Sequence, residues 1–288
     1  TEYKTRVRTR GDRIIVRGRG ARLVVNALTG VVEQYRLRGR NVFLKGFGLR
    51  PNFWTAPNDN EWGNGGPVNA YPEWKNAPSV LGVETGTDAY GTAVRVSYRL
   101  PYGSSMDVAY NLTDGGALRI DTRFHGGDRH VQVPRIGFRT RMDKRCDAFR
   151  YFGLGPYENY CDRFSACWAG EYASSAAAEF YPYVRPQETG HHTFVDWLEI
   201  GPVRIEGEMP FEFNALRCSI EDLDPRTPDG GRVWGHVNDV PVRPWVELCL
   251  DGRMTGVGGH DSWGSHAESV RTVWADADYD FSFTIKKK

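Results

Sequence analysis

The chain has 288 residues, a net charge of +1, 25% charged residues and 40% hydrophobic residues, which is the composition of a folded globular protein. This composition excludes a disordered chain, and no apolar run approaches the roughly 18 residues that a membrane-spanning helix needs. Its 33 glycines, 16 prolines and 13% aromatic residues predict a turn-rich all-β protein rather than a helical one.

Charge is distributed unevenly along the chain. Residues 1–50 hold 13 basic and 3 acidic side chains, a net charge of +10, so the remaining residues carry −9. Arginine recurs here with a period of two, in two runs: Arg6, Arg8, Arg10 and Arg36, Arg38, Arg40. This period is typical of the solvent face of a β-strand and argues against a nucleic-acid-binding arm. The alternative interpretation is a patch that contacts an acidic partner surface.

Alternating apolar residues predict strands in three further places. Residues 92–100 form one, and 106–124 form a β-hairpin around the turn sequence at 113–116. Residues 279–285 alternate in the same way and predict the last strand. Alternation on one face is typical of antiparallel sheets that have one side in water.

Helical periodicity is scarce. It is confined to an alanine-rich stretch at 174–180 and a single turn at 219–223. Long loops rich in Pro, Gly and Asn lie at 51–79 and 224–244, and long ordered loops on a β scaffold usually carry function. No linker divides the chain, so we predict one domain over 1–288, with its first ten residues as a boundary segment. The predicted fold is all-β, a large antiparallel β-sandwich of two packed sheets.

No catalytic pair of carboxylates is evident. Glycoside hydrolysis needs two carboxyl groups, about 5–5.5 Å apart for retention and farther apart for inversion. Glu158, Asp59 and Glu61 lie in turn sequences, where such side chains usually bond the backbone. The run 58–61 also lacks the ligand ladder and the closing Glu of a calcium loop. We therefore predict neither a catalytic residue nor a metal site in this chain.

The glycine-rich run 256–264 is the most informative segment. It presents His260, Asp261, Ser262 and Trp263 together on a backbone that three glycines allow to turn tightly. An aromatic ring beside convergent polar groups suits a sugar, whose C–H face stacks on the ring while its hydroxyls are hydrogen-bonded. We therefore predict that Trp263, Asp261 and His260 bind substrate. The alternative is a tryptophan that closes one end of the sandwich.

Four motifs resemble the C-terminal domain of large bacterial β-galactosidases of glycoside hydrolase family 2, also called the β-galactosidase small chain. Residues 53–60 read FWTAPNDN, close to the family's FWRAPTDN, and 151–163 read YFGLGPYENYCDR, close to GLGPxENYxDR. Residues 181–190 read YPYVRPQETG, close to YVxPQExG, and 256–263 read GVGGHDSW, close to GxGGDDSW. The motifs follow the family order and spread over nearly the whole chain.

The resemblance implies a very large sandwich similar to galactose mutarotases. It also implies that the catalytic residues and this domain's residues are separate parts of one enzyme. In the family, the nucleophile, the acid/base carboxylate and the magnesium ligands lie on a separate TIM-barrel domain, which this chain lacks. The resemblance also implies Mg and Na as cofactors of the complete enzyme, and a homo-oligomer. The C-terminal domain lends a tryptophan to the rim of the galactose site, and Trp263 matches it. Thr55, Asn58, Arg185 and His260 depart from the family pattern.

These observations predict that the chain is the C-terminal domain or small subunit of a β-galactosidase. We expect the chain alone to be inactive and the complete enzyme to hydrolyse terminal β-galactosides with retention. Its predicted partners are the galactoside and the TIM-barrel domain or large subunit. We predict that it binds neither nucleic acid nor a membrane. One alternative is a free-standing aldose mutarotase, which needs a His acid and a carboxylate base in one cleft. His191, His192 and His260 cannot be paired with such a base from sequence. The others are a non-catalytic carbohydrate-binding module and a scaffold without ligand contact.

Overall fold

The computed structural model describes residues 5–62, 71–224, 235–261 and 264–288. Over these ranges the chain forms a 17-stranded antiparallel sheet that curls on itself, with two short α-helices between strands. Within the same ranges, no helix is long and apolar enough to cross a membrane. The predicted all-β class is confirmed.

Both helices lie in the long connection between β6 and β7. The first nine strands are β1 (Arg6–Arg10), β2 (Arg13–Gly18), β3 (Ala21–Asn26), β4 (Val32–Leu37), β5 (Arg40–Asn41), β6 (Leu49–Asn52), β7 (Ser79–Asp88), β8 (Gly91–Arg99) and β9 (Ser105–Leu112). The remaining strands are β10 (Leu118–His125), β11 (Arg135–Asp143), β12 (Ala148–Gly155), β13 (Trp168–Ser175), β14 (His191–Ile200), β15 (Val203–Leu216), β16 (Trp245–Met254) and β17 (Tyr279–Lys287). The helices are α1 (Asp59–Trp62) and α2 (Tyr71–Asn76).

Two halves of the sheet face each other. The first half runs β7–β8–β9–β10–β17 and ends on the beginning of β15. The second half runs β1–β2–β3–β4–β6–β11–β16, then the end of β15, then β14–β12–β13, with β5 beside β4. Strand β15 joins the halves, because 203–207 pair with β17 and 212–216 pair with β16.

The core lies between the two halves. Phe138 of β11 is fully buried, and its ring lies 6.3 Å, between centroids, from each of Tyr110 in β9 and Phe281 and Phe283 in β17. Edge-on aromatic contacts of this kind stabilise a core beyond the area they bury. The predicted sandwich is therefore present as one continuous curled sheet whose two halves pack together.

The strand predictions agree closely with the structure. The 92–100 strand is β8, the 106–124 hairpin is β9 and β10, and the last strand is β17. Near 219–223 the chain forms a 3₁₀ turn at Glu221–Leu223. Residues 174 and 175 instead end β13, so the alanine-rich stretch at 174–180 is not helical.

The prediction that the second arginine run follows one strand was wrong. Arg36 lies in β4 and Arg40 begins β5, so the second run does not follow a single strand. The chain reverses at Arg38 and Gly39, which have φ values of 48° and 82°. Two consecutive positive φ values suit a two-residue hairpin, and the glycine signals it better than the arginine period does.

The loop prediction at 51–79 was incomplete, because α1 and α2 lie within it. Asn58 and Glu61 make the reciprocal bonds of a capping box: the Glu61 amide donates to Asn58 Oδ1 at 3.0 Å, and the Asn58 amide donates to Glu61 Oε2 at 2.8 Å. This accounts for α1 and gives Glu61 a structural role. Residues 63–70 and 225–234, in the two predicted long loops, lie outside the described residues.

Candidate functional site

The four sequence motifs meet at one end of the strands of the second sheet half. Strands β6, β12 and β16 finish at this end, while β11 and β14 begin there, as the pairs Asn52–Gly137 and Arg135–Met254 show. A cleft of about 380 Å³ opens between the loops. Each motif contributes lining residues: Asn58, Asp59, Asn60; Tyr160, Arg163; Tyr183, Gln187, Glu188; and Val257, Gly258, Gly259, Asp261.

The loop at 256–261 is held by the first two motifs. Asp162 accepts from the amides of Val257 at 3.0 Å and Gly258 at 2.8 Å, and Asn58 Nδ2 donates to the Val257 carbonyl at 3.1 Å. Gly258 has a φ of +67°, and a Cβ there would lie 2.3 Å from the Ser265 carbonyl oxygen. The glycine is therefore required by both backbone conformation and space.

Two of the three predicted substrate-binding residues lie in the described part of this loop. Asp261 lines the cleft. The His260 side chain is 67% exposed, and its Nε2 lies 3.8 Å from Glu268 Oε1. Trp263 lies outside the described residues, so its contact with sugar stays a prediction, as do the roles of Asp261 and His260.

A carboxylate organises one wall of the cleft. Glu158 accepts from Arg163 Nη2 at 2.5 Å, from the Gly190 amide at 2.7 Å and from the Tyr183 hydroxyl. Burial, and then the bond to Glu158, raise the pKa of Tyr183 to about 12. Because these bonds commit Glu158 to its neighbours, it positions the wall and is poorly placed to be a free catalytic base.

The opposite wall joins the first and third motifs. Arg185 Nη1 lies 3.0 Å from Asp59 Oδ1, and Gln187 Nε2 donates to Asp59 Oδ2 at 3.3 Å. The Arg185 guanidinium also lies 4.5 Å from the centroid of the Trp62 ring. The departure from the family pattern at Arg185 thus has a local partner in Asp59.

The floor rests on a buried polar network that sequence reasoning missed. Glu188 accepts from the Thr55 hydroxyl and from Asn214 Nδ2 at 3.3 Å, and lies 3.5 Å from Arg135 Nη1. Arg135 is fully buried, and its Nε donates to Asp251 Oδ1 at 3.0 Å. Burial raises the pKa of Glu188 to about 7, despite the nearby guanidinium. The sequence signal was a charged residue inside the apolar run at 133–138.

The adjacent histidines contact different carboxylates. His191 Nε2 lies 3.0 Å from Glu212 Oε2, and His192 Nε2 lies 2.8 Å from Glu179 Oε2. Both histidines are fully buried, and Tyr160 stacks on His191 with ring centroids 5.3 Å apart. Burial, and then the charge of Arg135, lower the pKa of His191 to about 3. Burial raises the pKa of Glu212 to about 8.

Two concavities of about 890 and 830 Å³ lie elsewhere on the described surface. One of about 890 Å³ adjoins the cleft across Arg163 and Tyr183, and is rich in aromatic side chains such as Tyr157, Phe164 and Tyr181. The other, about 830 Å³, lies on the first sheet half and holds no motif residue. We therefore take the motif-built cleft, rather than the concavity on the first sheet half, as the candidate functional site.

The sheet is of the galactose mutarotase type. A solved structure of a candidate aldose 1-epimerase from Escherichia coli K12 matches it with a TM-score of 0.51 at 10% identity, covering 99% of each chain. The family described as β-galactosidase small chain matches residues 17–285, and the chain belongs to that family.

Relatives fall into two size classes. A β-galactosidase small subunit from Latilactobacillus sakei is 28% identical over 298 aligned residues, covering 89% of this chain and 90% of that protein. A β-galactosidase from Priestia megaterium is 29% identical over 248 residues, covering 83% of this chain and 23% of that protein. The chain thus corresponds to nearly all of a small subunit, but to about a quarter of the larger enzymes it matches.

Removal of the carboxylate at Asp162 tests how the loop is held. In Asp162→Ala we expect amide exchange at Val257 and Gly258 to accelerate by about 10- to 100-fold, because a charge-assisted hydrogen bond contributes about 1.5–3 kcal/mol. Hydrogen exchange resolved to single amides measures this, with Leu250 in β16 as the internal control. Unchanged exchange at Val257 and Gly258 would show that Asp162 does not hold the loop.

The Glu212–His191 pair predicts a pH dependence of stability. Between its ordinary pKa of 4.5 and its folded value of about 8, Glu212 holds its proton in the folded chain and loses it in the unfolded chain. The free energy of unfolding therefore falls as pH rises through this window. His191, whose pKa is shifted from 6.5 to about 3, acts in the opposite direction below pH 6.5. Glu188, whose pKa is raised to about 7, acts in the same direction as Glu212 up to that pH, so the Glu212 effect is separate from both above about pH 7.

We expect the free energy of unfolding of Glu212→Gln to fall less steeply with pH than that of the wild type. From the lower to the upper end of the window, the stability of the variant relative to the wild type should rise by at least about 1 kcal/mol. Urea unfolding at a series of pH values measures the difference, and Glu84→Gln at an exposed position is the matched control. Parallel curves for the wild type and Glu212→Gln would contradict the assigned protonation.

Proposed function

We propose that residues 1–288 form one non-catalytic domain of a β-galactosidase of glycoside hydrolase family 2, either its C-terminal domain or its separate small subunit. The observation that carries the proposal is the meeting of the four family motifs at one cleft lined in part by the loop at 256–261, which Trp263 follows in sequence. The complete enzyme removes terminal β-galactosides with retention, using two carboxylates on a TIM barrel that this chain lacks.

In this scheme the chain supplies one wall of a shared galactose site. Trp263 stacks on the apolar face of the sugar, and Asp261 and His260 lie beside it to accept and donate hydrogen bonds. Such contacts orient the glycosidic bond for the carboxylates of the barrel and transfer no proton themselves. The bonds from Asp162 and Asn58 support the role because they fix the backbone that carries these side chains.

Metal ions belong to the partner in this proposal. Among the described residues, no three His, Cys, Asp or Glu side chains are grouped to hold an ion. The family resemblance implies Mg and Na for the complete enzyme and places the magnesium ligands on the TIM barrel. We assign both ions to the complete enzyme, outside this chain.

The expected partners are the galactoside and the barrel-bearing polypeptide, within a homo-oligomeric enzyme, with no role for nucleic acid or a membrane. The two size classes of relatives support an assembly in which this domain is either covalently joined to the rest or a separate chain. A mutarotase is less well supported, since it needs a His acid and a carboxylate base in one cleft. His191 and His192 are buried against Glu212 and Glu179. The exposed pair of His260 and Glu268 does not line the motif-built cleft.

The tryptophan tests the shared site directly. In the complete enzyme we expect Trp263→Ala to raise KM for a β-galactoside, with a loss of about 1–3 kcal/mol in kcat/KM because an aromatic stack is removed. Steady-state kinetics measure the change. Trp168→Ala is the matched control, because Trp168 is 65% exposed on β13 and lines neither of the two adjoining clefts. Equal kinetics for the wild type and Trp263→Ala would refute the shared site.

A further inference from the structure

Four arginines form one row across four neighbouring strands of the second sheet half. In the strand register, Arg6 of β1 lies opposite Arg17 of β2, and Arg17 lies opposite Arg22 of β3. Arg22 in turn lies opposite Arg36 of β4. Neighbouring strands are about 4.8 Å apart, so the row spans about 14 Å. Like charges directly opposite each other destabilise a sheet, so this arrangement needs an explanation.

The surroundings do not neutralise the row. Arg8 and Arg10 extend the same face, which we call the arginine face and define by six residues: Arg6, Arg8, Arg10, Arg17, Arg22 and Arg36. None of the six is in an ion pair within the described residues; the one local pair joins Arg13 to Glu33 at 2.6 Å. Arg22 Nε is buried without a hydrogen-bond acceptor.

Protection of a sheet edge does not account for the row. Charged side chains on an edge strand prevent unwanted pairing, and β1 pairs with β2 alone, so this would explain Arg6. Arg22 and Arg36, however, lie on β3 and β4, and both strands are paired on two sides. Arginines in the interior of the sheet face therefore require another cause.

The positive surface continues into a cavity. Beyond the ends of β2 and β4, a cavity of about 580 Å³ is lined by Arg19, Arg38, Lys286 and Lys287. Of these four cations, Lys286 is paired, with Glu206 at 2.5 Å, whereas the other three have no ion pair within the described chain. A partner that covers the arginine face would meet a second group of cations here.

We propose that the arginine face, together with this cavity, binds an acidic polypeptide surface. Guanidinium groups hold carboxylates with paired hydrogen bonds, and unlike lysine they present their donors in a fixed fork. An extended acidic strand places same-face carboxylates about 6.6–6.8 Å apart, so about three of them would fit along the row. The proposal does not depend on the proposed galactosidase role.

Nucleic acid fits this face less well. Single-stranded nucleic acids are bound by a basic groove together with aromatic side chains on which the bases stack. The outward positions of β1 to β4 hold no aromatic residue in the described chain, and the centre of the face is Ile15 opposite Val24. Among the described residues, this face is built of strands β1 to β4 and carries no helix that could enter the major groove of duplex DNA.

Binding of a fluorescein-labelled decaglutamate peptide to the complete protein, followed by fluorescence anisotropy, tests the proposal. We expect saturable binding that weakens by about fivefold or more between about 50 mM and 200 mM salt, because exposed charges are screened. A labelled decaglutamine peptide should not bind, which separates charge recognition from strand pairing at β1. Duplex DNA of about 20 base pairs is the competing probe.

The variant Arg17→Glu/Arg36→Glu should weaken decaglutamate binding at least about tenfold, since both side chains are exposed and flank Arg22 in the row. Arg99→Glu/Arg123→Glu carries the same charge change on the first sheet half and should stay within about twofold of the wild type. Matching thermal unfolding curves establish that both variants are folded. Absent decaglutamate binding, equal losses in both variants, or tighter binding of DNA that is lost in Arg17→Glu/Arg36→Glu would each overturn the proposal.

Discussion

The buried guanidinium of Arg135 fixes how the strands meet beneath the candidate site. It lies at the beginning of β11, bonds Asp251 of β16 and donates to Asn214 of β15 at 2.9 Å. It also lies beside Glu188, which precedes β14. A charge buried this deeply destabilises the fold unless every partner is in place, so the network specifies one arrangement of these elements. The loops above it, which form the cleft, depend on that arrangement.

The apolar core and this polar network have different tasks. Phe138 and its aromatic neighbours hold the two sheet halves together through burial, which is non-directional and tolerates small shifts. The network around Arg135 is directional, because each hydrogen bond fixes an angle and a distance. The proposed role, in which the chain supplies one wall of a shared sugar site, needs the second property, since the wall must meet residues on the TIM-barrel domain or subunit.

Local sequence patterns predicted the strands well and the site poorly. The alternation in β8, β9, β10 and β17 reports burial on one face, which is a local property. The turn at Arg38 and Gly39 was missed because the arginine period outweighed a single glycine. The meeting of the four motifs depends on strand pairs that are distant in sequence, such as Arg135 with Met254, and no local period encodes such pairing. The family resemblance named the motifs, but not their contacts.

Burial also explains why Glu188, Glu212 and His191 could not be singled out from sequence. Each lies near a chain turn or within a mixed strand, and its shifted pKa comes first from burial beneath elements that are distant in sequence. Similarly, the arginine row follows from the register of four strands, whereas the sequence shows merely scattered arginines. Like the cleft, it becomes visible when the pairing is known.

A non-catalytic role that depends on a partner is tested most directly by assaying the purified chain alone and then with the barrel-bearing polypeptide. Hydrolysis of a chromogenic β-galactoside and interconversion of α- and β-galactose are the two readouts. We expect neither reaction with the chain alone, and hydrolysis when the two polypeptides are combined. Hydrolysis by the chain alone would contradict the absence of catalytic carboxylates, and interconversion of the galactose anomers would reveal a mutarotase.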